Sequence, residues 1–327
     1  MATYGGIDLG GTKIQAAVVD EQLRVLGSAR SPTPTAGGPG DVVRELGVAL
    51  REAAKAAGIA PAELSAIGVG SPGRVEEGSV TGAGNLPGWD GSFPLGPTLA
   101  KDMGVPVKVG NDVQVATDAE FELGAGRPYS SLLGVFWGTG VGGGLILHRE
   151  PWTGRGGAGE IGHMVVEIGG ARCTCGRKGC MEAYAGRASM ERHARKLAEK
   201  GRKTCLFKLM EAHERTRLTS GIWARALERG DKLAVHILDR AVAALGAGIA
   251  SAQNLLDVEC VIIGGGLGVR LGETYARRIM DAMHPHLFAD SHPPDVHVAA
   301  LGDLGGAIGA ALLVARKASR ELGGGKA

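Results

Sequence analysis

Residues 4–20 read YGGIDLGGTKIQAAVVD. YGGID has the composition of a strand, LGGTK of a turn and IQAAVVD of a second strand, since apolar and β-branched residues run up to paired glycines and resume beyond them. RVLGSAR, residues 24–30, continues as a third strand, and the breakers SPTPTAGGPG at 31–40 close the run. The device returns at residues 131–148, SLLGVFWGTGVGGGLILH, again an apolar strand, a glycine turn and a returning strand. A chain that uses one strand–turn–strand device twice is expected to fold as two similar α/β halves.

The segments between fit that reading. From Asp41 the positions Val42, Val43, Leu46 and Leu50 take helical spacing, with Asp41 as the expected N-cap. LSAIGVGSPG at 64–73 is a buried strand ending in a turn, and VPVKVGND at 105–112 is another, followed by a helix through Ala116, Ala119 and Phe121. Helices are expected at about 182–199 and 233–256. VECVIIGGG at 258–266 is a strand entering a glycine turn, DVHVAAL at 295–301 a strand, and GGAIGAALLVARKAS at 305–319 a closing helix. Residues 201–230 carry no pattern that decides their structure. The halves join near residue 113, and a cleft between them is expected, with ligands at the carboxyl ends of the strands.

Composition narrows the function classes. The chain has 327 residues, more than one compact domain usually needs, and 44% hydrophobic residues, enough for two cores. Lys+Arg is 36 against Asp+Glu 34, so no basic excess points to nucleic acid or a membrane surface. Glycine numbers 56 without a G-X-Y period while aromatics are only 4%, which suits tight turns and close backbone approach to ligands. No stretch is expected to span a membrane, the first residues lack the organisation of a signal peptide, and a cytoplasmic location follows as the expectation.

Four short motifs carry candidate chemistry, each with a plain structural alternative. In GIDLGGTK, Asp8 ends a strand, Gly10 and Gly11 let backbone approach a ligand, and Thr12 and Lys13 add donors. That suits a phosphate cradle with Asp8 near a magnesium ion, or simply a hairpin turn. It is not a P-loop, because the order Gly11-Thr12-Lys13 departs from G-x-x-x-x-G-K-[ST]. Gly138, Gly140 and Gly143 have the spacing of a dinucleotide fingerprint, but the short run Leu145-Ile146-Leu147 is strand-like where a helix is required. A second phosphate-binding hairpin at Gly138, Thr139 and Gly140 fits better, with a structural turn as the alternative. Gly264, Gly265 and Gly266 could seat a nucleotide or only join strand to helix. Asn111 and Asp112 end a strand, where an aspartate could take a proton from a substrate hydroxyl or either residue could cap the following helix.

The densest stretch is GEIGHMVVEIGGARCTCGRKGCME, residues 159–182. His163, Cys173, Cys175 and Cys180 make a full tetrahedral donor set for structural zinc, with glycines that fold the C-x-C-x4-C run around an ion. Five cysteines, three of them clustered, favour metal over disulfides; the alternative is free thiols in a reducing cytoplasm. Four protein ligands leave no open position, so the metal would organise the site without activating water. Glu160 and Glu182 flank the knot, and His163 has a second ring nitrogen. Acids gathered at one point suit a polyhydroxylated substrate, whose hydroxyls donate to carboxylates, unless both are solvated surface acids.

In order along the chain, DLGGTK, GNLPGW, GND, GTGVGGG, GEIGH, CTCGRKGCMEAY and IIGGGL resemble the ROK family of sugar kinases and repressors, nearest its bacterial glucokinases. The resemblance covers nearly the whole chain, and its cysteine motif with the upstream E-x-x-H is the most specific part. It implies an α/β, two-domain actin-like ATPase (ribonuclease H-like) fold with a cleft between domains. Residues 1–112 would form a small domain joined by the C-terminal helix at about 303–327, and 113–302 a large domain carrying the zinc. It implies transfer of the γ-phosphoryl of ATP, with Mg2+, to the 6-hydroxyl of glucose, and Asp112 as general base. Asn85, Asn111, Asp112, Glu160, His163 and Glu182 would hold the sugar. Asp8, Gly10, Gly11, Thr12, Lys13, Gly138, Thr139, Gly140, Gly264, Gly265 and Gly266 would serve ATP and its magnesium, and a homodimer or homotetramer is implied. SVTGAGNLPGW and the alanine-poor NDVQVATDAEFELGAG depart modestly from the family pattern, which bears on the choice of sugar.

Rival functions remain. A kinase for fructose, mannose or an N-acylhexosamine would share these motifs, as would a polyphosphate-dependent glucokinase. A sugar-sensing repressor would carry a DNA-binding segment before the DxGGT strand, where only seven residues precede Asp8, and a sugar-binding sensor without catalysis would not need the phosphate loops.

Overall fold

The computed structural model describes residues 2–84 and 86–323, with side chains described to residue 315. Two compact units emerge: Met1–Arg127 with Pro151–Ala158 and Leu301–Ala327, and Pro128–Glu150 with Gly159–Ala300.

In the first unit, β1 (Tyr4–Leu9) and β2 (Lys13–Val19) form the hairpin read from the sequence, with Asp8 opposite Gln15. β3 (Val25–Pro32) joins β2 antiparallel. Helix α1 (Pro39–Ala57) buries Val42, Val43, Leu46 and Leu50. Its start corrects one expectation. Gly38 is the N-cap and Pro39 the first helical residue, while Asp41 sits a turn inside and accepts from the Gly38 amide at 3.0 Å. Proline is preorganised for the first helical position, so the helix begins earlier than the apolar periodicity suggests.

β4 (Ala66–Ser71) runs parallel to β1. Three short strands unseen in the sequence, β5 (Arg74–Glu76), β6 (Ser79–Thr81) and β7 (Ser92–Phe93), make a side sheet, followed by α2 (Leu95–Met103). β8 (Val107–Asn111) then pairs parallel with β4, placing Asn111 opposite Ser71, and leads directly into α3 (Asp112–Leu123). The main sheet order is β3-β2-β1-β4-β8.

The second unit repeats this order as β11-β10-β9-β12-β13. Its hairpin is β9 (Leu132–Trp137) and β10 (Val141–Leu147), with β11 (Glu150–Pro151) at the edge. The expected helix at 182–199 is two: α4 (Glu182–Ala185) and α5 (Arg187–Glu199), separated by Gly186, whose backbone leaves the helical region. The undecided stretch contains α6 (Leu206–Ala212) and α7 (Ser220–Glu228).

Helix α8 (Lys232–Leu256) starts at Asp231, whose carboxylate accepts from the Leu233 and Ala234 amides. At 25 residues it is long and apolar enough to cross a membrane, contrary to the sequence expectation. Its apolar window is nevertheless 67% buried inside the protein, as in the core helix of a globular unit. β12 (Cys260–Gly264) lies parallel to β9, α9 (Gly265–Met283) follows at once, and β13 (Asp295–Val298) completes the sheet, shorter than expected.

Helix α10 (Gly305–Gly323) returns to the first unit and packs on β1, β4 and α3. The approach is close: a Cβ on Gly6 or Gly68 would collide with the α10 carbonyls of Ala307 or Ala310. A Cβ on Gly309 would collide with the carbonyl of Val115. The sequence expectation ends the first domain at residue 112, whereas the compact unit runs to Arg127, since α3 packs on α10.

Candidate active site

The first hairpin turn is held from within its own unit. Gly10 donates to the Lys13 carbonyl at 3.0 Å, and the buried Thr33 clamps the turn from β3's end. Thr33 Oγ1 donates to the Gly10 carbonyl at 2.6 Å and its amide to the Thr12 carbonyl at 3.2 Å. At the strand end, burial pushes the Asp8 carboxyl up to about 6; Lys13 opposes that shift and Asp303 adds to it. Lys13 Nζ pairs with Asp303 at 3.2 Å. A half-buried carboxyl with a second carboxylate nearby is a place where a cation would relieve unfavourable charge.

At the end of β8, the cap is Asn111. Its Oδ1 accepts from the amides of Val113 and Gln114, each at 3.1 Å, and its Nδ2 donates to the Gly73 carbonyl at 3.3 Å. Asp112 is the first residue of α3, and its Oδ1 accepts from Val113 N at 3.0 Å. The helix N-terminus favours negative charge there. Asn111 is therefore the N-cap, and it shares the Val113 amide with Asp112.

In the second unit, the turn of Gly138, Thr139 and Gly140 is braced from elements downstream. Gly138 donates to the Gly140 carbonyl at 3.0 Å, and the amides of Arg187 and Ala188 donate to the carbonyls of Gly138 and Thr139. The Arg187 guanidinium reaches Thr139 Oγ1 at 2.8 Å and Ser220 Oγ at 3.4 Å, and burial lowers its pKa. Glu182 Oε2 accepts from Val141 N at 3.0 Å, and a Cβ on Gly140 would collide with that carboxylate. Gly264 and Gly265 are required by packing against Phe136 and the Trp137 backbone, and Gly265 has φ +77°. Gly266, in the first turn of α9, lies beside the hairpin turn: a Cβ on Gly138 would lie 4.0 Å from its amide. An amide at a helix start beside a glycine turn is suited to a phosphate.

The cysteine stretch folds into a small knot. Cys173 N donates to the Arg177 carbonyl at 2.8 Å, Gly179 N to Ala171 at 2.8 Å and Met181 N to Met164 at 2.9 Å. The donor atoms of His163, Cys173, Cys175 and Cys180 all lie within 4.8 Å of one another. Cys175 Sγ is 3.7 Å from Cys180 Sγ, and Cys173 Sγ is 3.9 Å from His163 Nδ1. Tetrahedral zinc with thiolates at their usual bond length spaces its ligand sulfurs about 3.8 Å apart, so the donor set fits that ion.

Thiol electrostatics in the knot are divided. Burial pushes Cys180 up to about 12 and raises Cys173. Burial also opposes ionisation of Cys175, but hydrogen bonds from the Arg177 amide and the two neighbouring thiols bring it down to about 7.

Both flanking glutamates are at the knot. Glu160 Oε2 lies 3.8 Å from His163 Nε2, the ring nitrogen opposite the one nearest Cys173. Glu182 Oε1 accepts from Thr174 Oγ1 at 3.1 Å and from the Cys173 thiol at 3.6 Å. Glu182 thus ties the knot to the second hairpin. The described candidates divide by unit: Asp8, Gly10, Gly11, Thr12, Lys13, Asn111 and Asp112 in the first, the other described ones in the second. Asn85 lies outside the described residues.

The chain matches the ROK family over residues 4–317. It belongs to that family. The glucokinase of Thermotoga maritima is 35% identical over 271 residues, 82% of this chain and 83% of that one. The N-acetylmannosamine kinase of Salmonella typhi is 32% identical over 297 residues, 90% of each. A crystal structure of a ROK family glucokinase from Streptomyces griseus, in complex with glucose and AMPPNP, superposes with a TM-score of 0.82 at 31% identity, covering 95% of this chain and 99% of that one. The fold is that of the ROK kinases, an actin-like sugar-kinase fold, as the motifs implied.

Within this ROK chain, sequence reasoning did not find Thr33, Thr174 or Arg187. Each braces a candidate turn or glutamate from a distant or unremarkable position. The G-R-A-S run at 186–189, starting a helix after the cysteine motif, was the available signal for Arg187.

Proposed function

We propose that this chain is an ATP-dependent glucokinase, transferring the γ-phosphoryl of ATP to the 6-hydroxyl of glucose. The observation that carries the reading is the likeness to the Thermotoga maritima glucokinase, 35% over 271 residues, in a chain with a braced glycine hairpin in each unit. Asp112, at the start of α3 beside the capping Asn111, takes the proton from the sugar hydroxyl. Glu160, His163 through Nε2, Glu182, Asn111 and Asn85 hold the remaining hydroxyls. The turn amides of Gly10, Gly11, Thr12, Gly138, Thr139 and Gly140, with Lys13 and the α9 start at Gly264, Gly265 and Gly266, orient the phosphates. Positioning and charge stabilisation of this kind supply most of the catalysis in phosphoryl transfer.

Magnesium, which Asp8 would help to hold, neutralises charge on the transferring phosphoryl group when bound. His163, Cys173, Cys175 and Cys180 would hold zinc, whose closed coordination fixes the knot and with it Glu160 and Glu182. The reading includes a cytoplasmic homodimer or homotetramer feeding sugar into carbohydrate metabolism by glycolysis. A second reading, an N-acetylmannosamine kinase, is favoured by the 32% identity over 297 residues to the Salmonella typhi enzyme.

The test is ATP-dependent phosphorylation of glucose, mannose, fructose and N-acetylmannosamine, with polyphosphate as an alternative donor. Turnover should be highest with glucose and ATP and fall about 10²–10⁴-fold in Asp112→Asn. Preference for N-acetylmannosamine would establish the second reading, and an unaffected Asp112→Asn enzyme would remove Asp112 as the base.

A further inference from the structure

A cavity of about 220 Å3 lies in the second unit between the cysteine knot, α4, α5 and α8; none of its lining residues is one assigned above, although Arg172 adjoins Cys173 and Ala183 adjoins Glu182. Its charged lining is of one sign: Arg172, Arg192, Lys196 and Arg240, with His193 among them. Among the described residues none of these cations is in an ion pair. Of the neighbouring acids, Glu191 pairs with Arg195 and Asp239 with Arg278, while Glu167 bonds the Tyr184 hydroxyl at the cavity wall. The concentration of positive charge is felt inside: burial, and then the charges of Arg240, His236, Lys196 and Lys200, hold His193 below the usual histidine range. Arg240 NH1 lies 3.1 Å from His193 Nε2, so a neutral imidazole accepts there. The guanidinium of Arg240 also stacks over the Tyr184 ring, 5.1 Å from its centroid, and Arg192 donates to the buried Ser189 hydroxyl at 2.9 Å. Two of the cations are therefore held in place before any ligand arrives.

We propose that this cavity is a binding site for a small phosphate-bearing anion. A phosphate group offers three acceptor oxygens and close to two charges, which matches several guanidinium forks and an ammonium better than a single carboxylate does. The cavity is smaller than the sites of drug-sized ligands, as suits a phosphate or a short phosphorylated metabolite. The apolar part of the lining, including Met190 and Ile237, gives the non-phosphate part of an ester a surface to rest on. The site lies wholly within the second unit and does not depend on the kinase reading.

Binding is measured by calorimetry on the full chain at constant ionic strength, with glucose and a non-hydrolysable ATP analogue present to occupy the proposed catalytic site. The probes are inorganic phosphate, glucose 6-phosphate, tripolyphosphate and, as a polyanion without phosphorus, citrate. At least one phosphate probe should bind saturably, once per chain, and citrate more weakly. Tightest binding of glucose 6-phosphate would identify a metabolite ester as the occupant, and of tripolyphosphate an inorganic polyphosphate. Arg240→Gln and, separately, the exposed Lys196→Gln should each weaken binding about tenfold. No saturable binding, affinity unchanged in Lys196→Gln, or citrate bound as tightly as phosphate would each overturn the proposal. Failure to bind glucose or the ATP analogue would instead count against the kinase reading, and the effect of Lys196→Gln would still be readable.

Discussion

The two glycine hairpins share strand order and pairing but differ in where their chemistry comes from. The β1–β2 hairpin carries its own charged groups, Asp8 and Lys13, and its turn is fastened by Thr33, twenty-one residues beyond Thr12. The β9–β10 turn has no ionisable residue of its own. Its carboxylate and guanidinium, Glu182 and Arg187, arrive from beyond the cysteine knot. The same backbone device thus carries its own charged groups in one unit, where Asp303 comes in to pair with Lys13, and draws them all from a distant element in the other.

Metal removal should separate the two most sharply. Chelation of the proposed zinc should free the knot, release Glu182 from Val141 N, and lower glucose phosphorylation by about 10²-fold through misplacement of the second turn. Amide hydrogen exchange should rise across 138–141 and 160–182 while 8–13 stays protected. Equal loss of protection in both hairpins would refute the dependence.

A smaller effect is expected from Glu182→Gln. It keeps the shape and a neutral oxygen that can accept from the Val141 amide but removes the charge, costing about 1–2 kcal/mol of stability. Thermal unfolding and bound-metal content measure it, and a wild-type melting curve would show that the charge contributes nothing.

The smallest concerns the first hairpin and depends on pH. The Asp8 pKa rises from 3.8 to about 6 on folding, so the folded chain holds its proton more tightly than the unfolded chain. That contribution to stability is fully present below pH 3.8 and is lost as pH rises through about 6. Asp8→Asn should therefore stabilise the magnesium-free protein above pH 7 by about 1–2 kcal/mol and leave it unchanged near pH 4, as read by denaturant titration. The same substitution should weaken Mg-ATP binding. A stability change independent of pH would show that Asp8 ionises normally.

These differences also mark what the sequence could reveal. Both hairpins were legible because glycine pairs interrupt apolar runs at strand spacing. The knot was legible because three thiolates and a histidine have few other uses so close together. Asn111 and Asp112 were legible as a pair, but not the fact that Asn111 is the residue that caps α3, which depends on side-chain geometry. Thr33 and Arg187 were hidden because ordinary residues acquire their roles only when the chain returns. The β5–β7 strands and α6–α7 are too short for periodicity to exceed noise, and the break at Gly186 was masked by helix-forming neighbours. Asp41 was misread because periodicity locates the buried face of a helix better than its first turn.

The glycines of β1 and β4 that admit α10 have a consequence for synthesis. A ribosome releases the first unit's sheet long before Ala307 and Ala310 exist to cover it, and the intervening residues build the second unit. The nascent chain must therefore hold one bare sheet face while the later unit folds, so the part translated first is finished last.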